Sequence, residues 1–353
     1  MPKRSFYVKE SELDDYQVQI INKRTDNSFI VKGCAGSGKS ILALWKAKQI
    51  QNEGNGSYLF VVFTKSLKQY MSDGVKNIGL QSDNVETYHK CFYWTNNNGV
   101  WQQGDWNKGT VDYIIVDEAQ DFSEEDILLF KSKAKKALLL YGDSAQQLYT
   151  FIPNKTTISM DDMAYITRFP TEQLVFNHRL PKKVARLAEY INCENDSLER
   201  RCKNEGTEKP KILKYSSLEA ELGAISEIIK NRDFKDVGIL FRNNAEVRIA
   251  HNFFRNTGIN VEAKVNEKID LKFNSDNPKI MTYHSSKGLQ FEAVFLPGCA
   301  VSEDDDRNPL YVAITRTYQS LYITHSGNLS KFFDAIPKDL YETSLVTHKT
   351  EYL

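Results

Sequence analysis

Residues 33 to 40 read GCAGSGKS and follow the apolar run Phe29-Ile30-Val31. Gly33, Gly38, Lys39 and Ser40 complete the pattern G-x-x-x-x-G-K-[ST], and Ala35, Gly36 and Ser37 keep the loop small. Such residues let main-chain N–H groups turn inward around β- and γ-phosphate oxygens; Lys39 adds a point charge, and the Ser40 hydroxyl is suited to ligate Mg²⁺. The apolar positions Ile41, Leu42, Leu44, Trp45 and Ile50 predict a helix leaving the loop, whose N-terminus favours an anion. The bland alternative is an ordinary glycine turn, but both flanks meet the motif's demands.

A second group lies in YIIVDEAQDF, residues 113 to 122. A buried strand that delivers Asp117 and Glu118 at its carboxyl end puts two carboxylates at the edge where parallel sheets build their sites. Asp117 is expected to hold Mg²⁺ through water, and Glu118 to orient and deprotonate an attacking water. A polar loop after a strand is the competing reading of this group alone. Taken with the glycine loop, it indicates hydrolysis of a nucleoside triphosphate.

The elements that must position these groups are short β-rich runs alternating with helical patterns. The runs are SFIVKG at 28 to 33, YLFVVF at 58 to 63, YIIVDE at 113 to 118, ALLLYGD at 137 to 143, VGILFR at 237 to 242, KIMTYH at 279 to 284, AVFLPG at 293 to 298 and SLYITHS at 320 to 326. Continuous apolar strands separated by helices predict an α/β fold with parallel sheets covered on both faces. The runs fall into two sets, separated by a polar stretch from about 150 to 171, so two α/β domains are expected, 1–165 and 166–353. Residues 193 to 211 read as a charged surface loop, and EDDD at 303 to 306 as a solvated turn before a helix.

With 353 residues the chain is long enough for two domains, and its 46 basic and 46 acidic residues cancel. No global field draws it to a polyanion, so any such binding must be local. The five cysteines, Cys34, Cys91, Cys193, Cys202 and Cys299, have no metal-ligand spacing and are expected to be reduced. The N-terminus lacks the apolar core of a signal peptide and no run is long enough for a membrane span, which predicts a cytoplasmic protein without membrane contact.

The later motifs narrow the class. DEAQD, then GDSAQQLY at 142 to 149, FNHR at 176 to 179, TYHSSKGLQFEAVFLPG at 282 to 298 and LYVAITRT at 310 to 317 resemble, in order, the motifs of UvrD/Rep-like superfamily 1 helicases. LDDYQ at 13 to 17 is similar to the family's adenine-recognising segment. The resemblance covers most of the chain and implies two RecA-like domains with ATP and Mg²⁺ in the cleft between them. It implies that Gln17 reads the base edge, that Gln146 senses the γ-phosphate, and that Arg179 and Arg316 reach the nucleotide from the second domain. A guanidinium pair so placed stabilises charge on the transferring phosphoryl group; a surface salt bridge is the alternative for each. His178 would face the base, and Gly288 and Gln290 would lie on the sugar side. The resemblance also implies strand contacts from Thr64, Thr87, Tyr88, His89 and Tyr149 in the first domain and from Thr282 and His284 in the second. Hydroxyls and imidazoles suit phosphates, and tyrosine rings suit base stacking.

Several positions depart from the family pattern. Gln290 replaces a ribose-binding carboxylate, His178 replaces a base-stacking tyrosine, and TFIPNK follows GDSAQQLY where F-R-G-A is usual. The stretch from Cys91 to Tyr113, with Trp94, Trp101 and Trp106, reads as an aromatic hairpin in place of a large helical insertion, and the second insertion is also missing. The expected activity is ATP hydrolysis coupled to movement along single-stranded nucleic acid, with DNA ranked ahead of RNA. An ATP-dependent regulatory or assembly subunit controlling a partner nuclease or effector is the alternative.

Overall fold

The computed structural model describes residues 10–97, 100–144, 156–192, 197–266, 269–300 and 306–344. The chain divides into two compact units between His178 and Arg179. The junction expected at 165/166 would cut the helix Met160–Thr167. The later boundary has a simple cause, because Thr171–Leu174 adds a parallel strand to the first sheet, beside Phe29–Gly33.

In chain order the first unit contains α1 (Asp15–Ile21), β1 (Phe29–Gly33), α2 (Lys39–Glu53), β2 (Tyr58–Val62), α3 (Lys65–Asn77), β3 (Val85–Thr87), β4 (Phe92–Asn97), β5 (Val100–Trp106), β6 (Val111–Val116), α4 (Glu124–Lys133), β7 (Ala134–Gly142), α5 (Met160–Thr167) and β8 (Thr171–Leu174). Its sheet has the order β3-β2-β6-β7-β1-β8, and every pairing is parallel. Strand β7 therefore lies between β1, which leads into GCAGSGKS, and β6, which leads into DEAQD.

Alternation along each strand feeds two cores. Phe29, Val31, Phe60, Val62, Tyr113, Ile115, Leu139 and Tyr141 pack with Leu42, Ala43 and Ala47 of α2 and Leu67 and Met71 of α3. Ile30, Leu59, Val61, Ile114, Val116, Leu138 and Leu140 pack with Ile127 and Phe130 of α4 and Met160 and Met163 of α5. Covering both faces explains why these strands read as unbroken apolar runs. The helices begin where the sequence supplies caps: Asp14 with Gln17 for α1, Ser123 with Asp126 for α4, and Ser159 with Asp162 for α5 form capping boxes.

Strand β9 (Asn177–Pro181) contains the division. The second unit continues with α6 (Lys182–Ile191), α7 (Leu198–Arg201), β10 (Cys202–Asn204), β11 (Lys211–Tyr215), α8 (Leu218–Arg232), β12 (Val237–Phe241), α9 (Asn244–Asn256), β13 (Glu262–Ala263), β14 (Lys279–Thr282), β15 (Phe291–Leu296), α10 (Arg307–Ile314) and β16 (Thr317–Ser326). Its main sheet, β11-β16-β15-β12-β14-β13, is again wholly parallel.

The α/β class and all eight expected runs are present. The expected surface loop at 193–211 is corrected: α7 and β10 occupy part of it because Leu198 and Cys202 are buried. Asp306, from the expected solvated turn, pairs with Arg242 at 3.3 Å, while residues 303–305 lie outside the described residues. Cys34, Cys91, Cys202 and Cys299 are buried, and Cys193 lies outside the described residues. Among the described residues, no helix is long and apolar enough to cross a membrane.

Candidate nucleotide site

The phosphate-loop pattern folds as a tight turn that depends on its glycines. A Cβ on Gly33 would stand 2.5 Å from Ser37 Oγ and 2.8 Å from Leu174 Cβ. Gly36 and Gly38 adopt φ values of 78° and 91°, which L side chains rarely accept. Gly38 caps α2, so Lys39 and Ser40 open the helix. Lys39 is buried, and its Nζ donates to the carbonyls of Gly33 at 2.8 Å and Cys34 at 3.0 Å.

Two groups brace this loop. Gln17 Nε2 donates to Ser37 O at 2.9 Å, while its Oε1 accepts from Asp14 N at 3.0 Å. Both polar ends of that amide, 5% exposed, are engaged within the protein. In this structure Gln17, expected at the base edge, braces the phosphate loop through these two contacts. His178 N donates to Gly36 O at 3.0 Å, and its Nε2 lies 2.6 Å from Asp14 Oδ2. Tyr16 packs edge-on against Phe176, with centroids 5.7 Å apart, at the same corner.

Asp117 follows β6, is fully buried, and accepts from Glu118 N on Oδ1 at 3.1 Å. Burial first, and then the Glu118 carboxylate, push the Asp117 carboxyl up to about 7; the Ser40 hydroxyl and Lys39 act in the opposite direction. Asp117 Oδ2 and Ser37 Oγ are buried without a hydrogen-bond partner among the described residues. Buried polar atoms are seldom left unmet, so such positions call for an ion or water. An oxygen donor set with a crowded carboxylate pair suits Mg²⁺, which binds through one or two carboxylates plus substrate phosphates.

Glu118 takes a left-handed conformation, φ 54° and ψ 46°, which aims its side chain differently from that of Asp117. Gln120 Nε2 donates to Glu118 Oε2 at 2.5 Å, and Gln120 Oε1 accepts from Asp143 N at 2.9 Å. A Cβ on Gly142 would lie 2.7 Å from Gln120 Oε1 and 2.4 Å from Met160 Sδ, so the glycine of GDSAQ makes room for this clamp. Gln120 stood in the quoted motif without an assigned role. Gln146 and Tyr149 lie outside the described residues.

In the second unit Arg179 Nη2 donates to Thr315 O at 2.9 Å, and Arg316 Nη2 donates to Thr315 Oγ1 at 3.0 Å. Arg316 Nε also donates to Val312 O at 2.8 Å, and the residue is 1% exposed. The two arginines thus converge on one residue, and burial corrects the surface-salt-bridge alternative. Gly288 has φ 77°, Gln290 is half-buried, and Phe291 N donates to Arg316 O at 2.9 Å, joining that turn to the arginine.

The expected strand-contact residues fall at the carboxyl edges of the sheets. Thr64 follows β2 and caps α3 through Leu67 N at 3.1 Å; Thr87 ends β3, in register with Val62. His89 is exposed and stacks on Trp94, with centroids 5.7 Å apart. Tyr88 is a correction: it is 4% exposed, packs against Phe63, Phe92 and Phe122, and donates its hydroxyl to Asp126, so its ring offers no face for a base. Thr282 ends β14 and donates to Ser285 Oγ at 3.1 Å; His284 follows, its imidazole pKa lowered by burial and then by Lys287. Strands β4 and β5 form the expected antiparallel hairpin, with Trp106 packed against Phe92 and Phe130.

A glycine loop ending in Lys-Ser, with a strand-borne Asp-Glu pair on the same sheet edge, is the arrangement expected of a phosphate-loop nucleotide site. Comparison with known proteins agrees and extends this. An AAA domain family matches residues 17–152, and a UvrD-like helicase C-terminal domain family matches residues 279–324. DNA helicase II of Rickettsia typhi is 30% identical over 117 residues, 29% of this chain and 17% of its own length. A probable DNA helicase of Mycoplasma pneumoniae is 25% identical over 291 residues, 69% of this chain and 50% of its own. ATP-dependent DNA helicase PcrA of Staphylococcus aureus is 30% identical over 128 residues, covering 27% and 18% respectively. The solved structure of arterivirus nonstructural protein 10, a helicase, is similar with a TM-score of 0.44 and 18% identity, over 87% of this chain and 62% of that one. By these matches the chain is similar to UvrD/Rep-like superfamily 1 helicases, and it spans at most half the length of these curated relatives.

Proposed function

We infer that this protein is an ATP hydrolase that moves along single-stranded nucleic acid, DNA ahead of RNA, in the cytoplasm. One observation carries the reading: Lys39, Ser40, Asp117 and Glu118 share the carboxyl edge of one parallel sheet, where Gln120 holds Glu118. Lys39 exchanges its loop carbonyls for phosphate oxygens, and the N–H groups of Gly36, Ser37 and Gly38 join it. Ser40 and Asp117 would hold Mg²⁺, which would supply neutralising charge to the phosphates. Glu118 takes the proton of the attacking water, and Gln146 senses the γ-phosphate. Gln17 and His178 frame the base, and Gly288 and Gln290 serve the sugar side. Arg179 and Arg316 act from the second unit on closure, which couples hydrolysis to strand movement. Thr64, Thr87, His89, Thr282 and His284 contact the strand.

A second reading, an ATP-operated switch controlling a partner nuclease or effector, is favoured by one feature. The segment between β3 and β6 is a small hairpin, with little material to grip a duplex. ATPase rate measured against oligonucleotide length, for DNA and RNA separately, tests both readings. A translocase gives a rate that climbs with length and saturates. A flat response, with stimulation only when a protein partner is added, rejects the motor.

A further inference from the structure

Tyr141 lies on β7, the strand between the phosphate-loop strand and the acid-bearing strand. It is in register with Val31 of β1, and its predecessor Leu140 pairs with Val116 of β6, which puts Tyr141 next to Asp117 in the ladder. Neighbours so placed point to the same face, here the face covered by α2, which begins with Lys39 and Ser40. The Tyr141 side chain is fully buried, and its hydroxyl has no hydrogen-bond partner among the described residues. Asp117 Oδ2 is in the same condition. Burial, and then the Asp117 carboxylate, hold the Tyr141 hydroxyl above its ordinary value, which places that charge within its electrostatic reach.

Two unmet polar atoms on neighbouring strands and on the same face, in an interior that leaves few unmet, indicate a bridging group. Mg²⁺ dehydrates reluctantly and keeps several waters when it binds carboxylate and phosphate. We propose that the Tyr141 hydroxyl and Asp117 Oδ2 together hold a water accompanying the divalent cation, which makes Tyr141 a positioning residue for the metal. The proposal rests on the nucleotide reading above. It gives a task to a polar tip in a strand otherwise occupied with packing.

The test is Mn²⁺ affinity, read by electron paramagnetic resonance, of the full chain with a non-hydrolysable ATP analogue. Tyr141→Phe keeps the ring and removes the hydroxyl. Loss of one hydrogen bond lowers Mn²⁺ affinity about three- to tenfold, while analogue binding in EDTA is unchanged. The metal-free variant melts at or above the wild-type temperature, because a buried hydroxyl without a partner stabilises nothing. Equal Mn²⁺ affinity in the two proteins overturns the role of Tyr141 and leaves the nucleotide site standing. Absence of nucleotide-dependent Mn²⁺ binding in the wild type overturns the nucleotide reading and this proposal with it. Should Tyr141→Phe fail to fold, 3-fluorotyrosine placed at position 141 gives a fluorine resonance. Its shift on adding Mg²⁺ to the analogue complex supports the contact, and an unmoved resonance overturns it.

Discussion

Gln120 donates its amide to Glu118 Oε2 at 2.5 Å while its other end accepts from the main chain of Asp143, so the position of Glu118 is tied to the end of β7. The clamp fixes a carboxylate carried on a left-handed residue at the end of a buried strand. Gln120→Leu is expected to lower kcat about 10- to 100-fold, the usual range for losing a group that orients a ligand, with KM for ATP unchanged. A parallel rise in KM would make Gln120 part of the binding surface instead.

Lys39→Ala and Glu118→Gln should both remove turnover but differ in binding. Loss of Lys39 removes a buried amine that the loop carbonyls already hold in place, so nucleotide affinity falls with rate. Glu118→Gln leaves Ser40 and Asp117 intact and should retain ATP, with hydrolysis down about 10²- to 10⁴-fold. Fluorescent-nucleotide titration beside single-turnover hydrolysis separates the two, and normal hydrolysis by either variant would reject the mechanism.

The apolar strands were legible because both faces of each sheet are covered, leaving no polar alternation to dilute the signal. Strand β8 was not, since TEQL has only Leu174 buried and gains its place through its pairing with β1. That single edge strand moved the domain boundary. At the site, GCAGSGKS and Asp117-Glu118 were legible because each motif is a contiguous run of residues, while the sheet order β6-β7-β1 brings the two to one edge. Gln120 and Tyr141 were not, because each depends on a contact to a different strand. Tyr88 was misread for a related reason: a tyrosine beside an exposed histidine looks like a stacking face until Phe63, Phe92 and Phe122 are seen around it.

The arginines carry a prediction that burial modifies. Substituting an arginine finger lowers kcat by about 10³-fold or more, yet Arg316 also donates to Val312 O and Thr315 Oγ1 inside the second unit. Arg316→Ala is therefore expected to lower the melting temperature as well as the rate. Arg179→Lys and Arg316→Lys, which keep the charge and lose the planar fork, should lose rate with little change in nucleotide affinity. Affinity falling in step with rate would make the arginine concerned a ground-state ligand.

The raised Asp117 carboxyl gives a pH dependence with a definite sign. Its value in the folded chain, about 7, lies above the ordinary 3.8, so between these limits the folded state binds more protons than the unfolded state. Stability contributed by this group then falls as pH rises through that window. Without nucleotide or metal, Asp117→Asn should raise the melting temperature at pH 8 by roughly 2 °C or more, with little effect near pH 4. Mg²⁺ and an ATP analogue should reverse the order at pH 8 by stabilising only the wild type. Equal melting of the two metal-free proteins at pH 8 would show that the carboxylate pair carries no such strain.

Strand binding is tested by two adjacent residues, one exposed and one buried. His89 is exposed and stacked on Trp94, whose Nε1 donates to His89 O at 2.7 Å, so the imidazole is held on a rigid support at the carboxyl end of β3. Base stacking contributes about 1–3 kcal/mol per base in such surfaces, and His89→Ala or Trp94→Ala should weaken oligonucleotide binding by about fivefold or more. Tyr88→Phe should leave that affinity unchanged and lower the melting temperature, because its hydroxyl serves Asp126. Salt titration adds a further check. A chain whose 46 basic and 46 acidic residues cancel reaches phosphates only locally, so few counterions are released and the slope of log affinity against log salt should be shallow. A steep slope in the His89→Ala protein, with affinity undiminished, would place the strand on some other surface and remove the His89–Trp94 pair from the track.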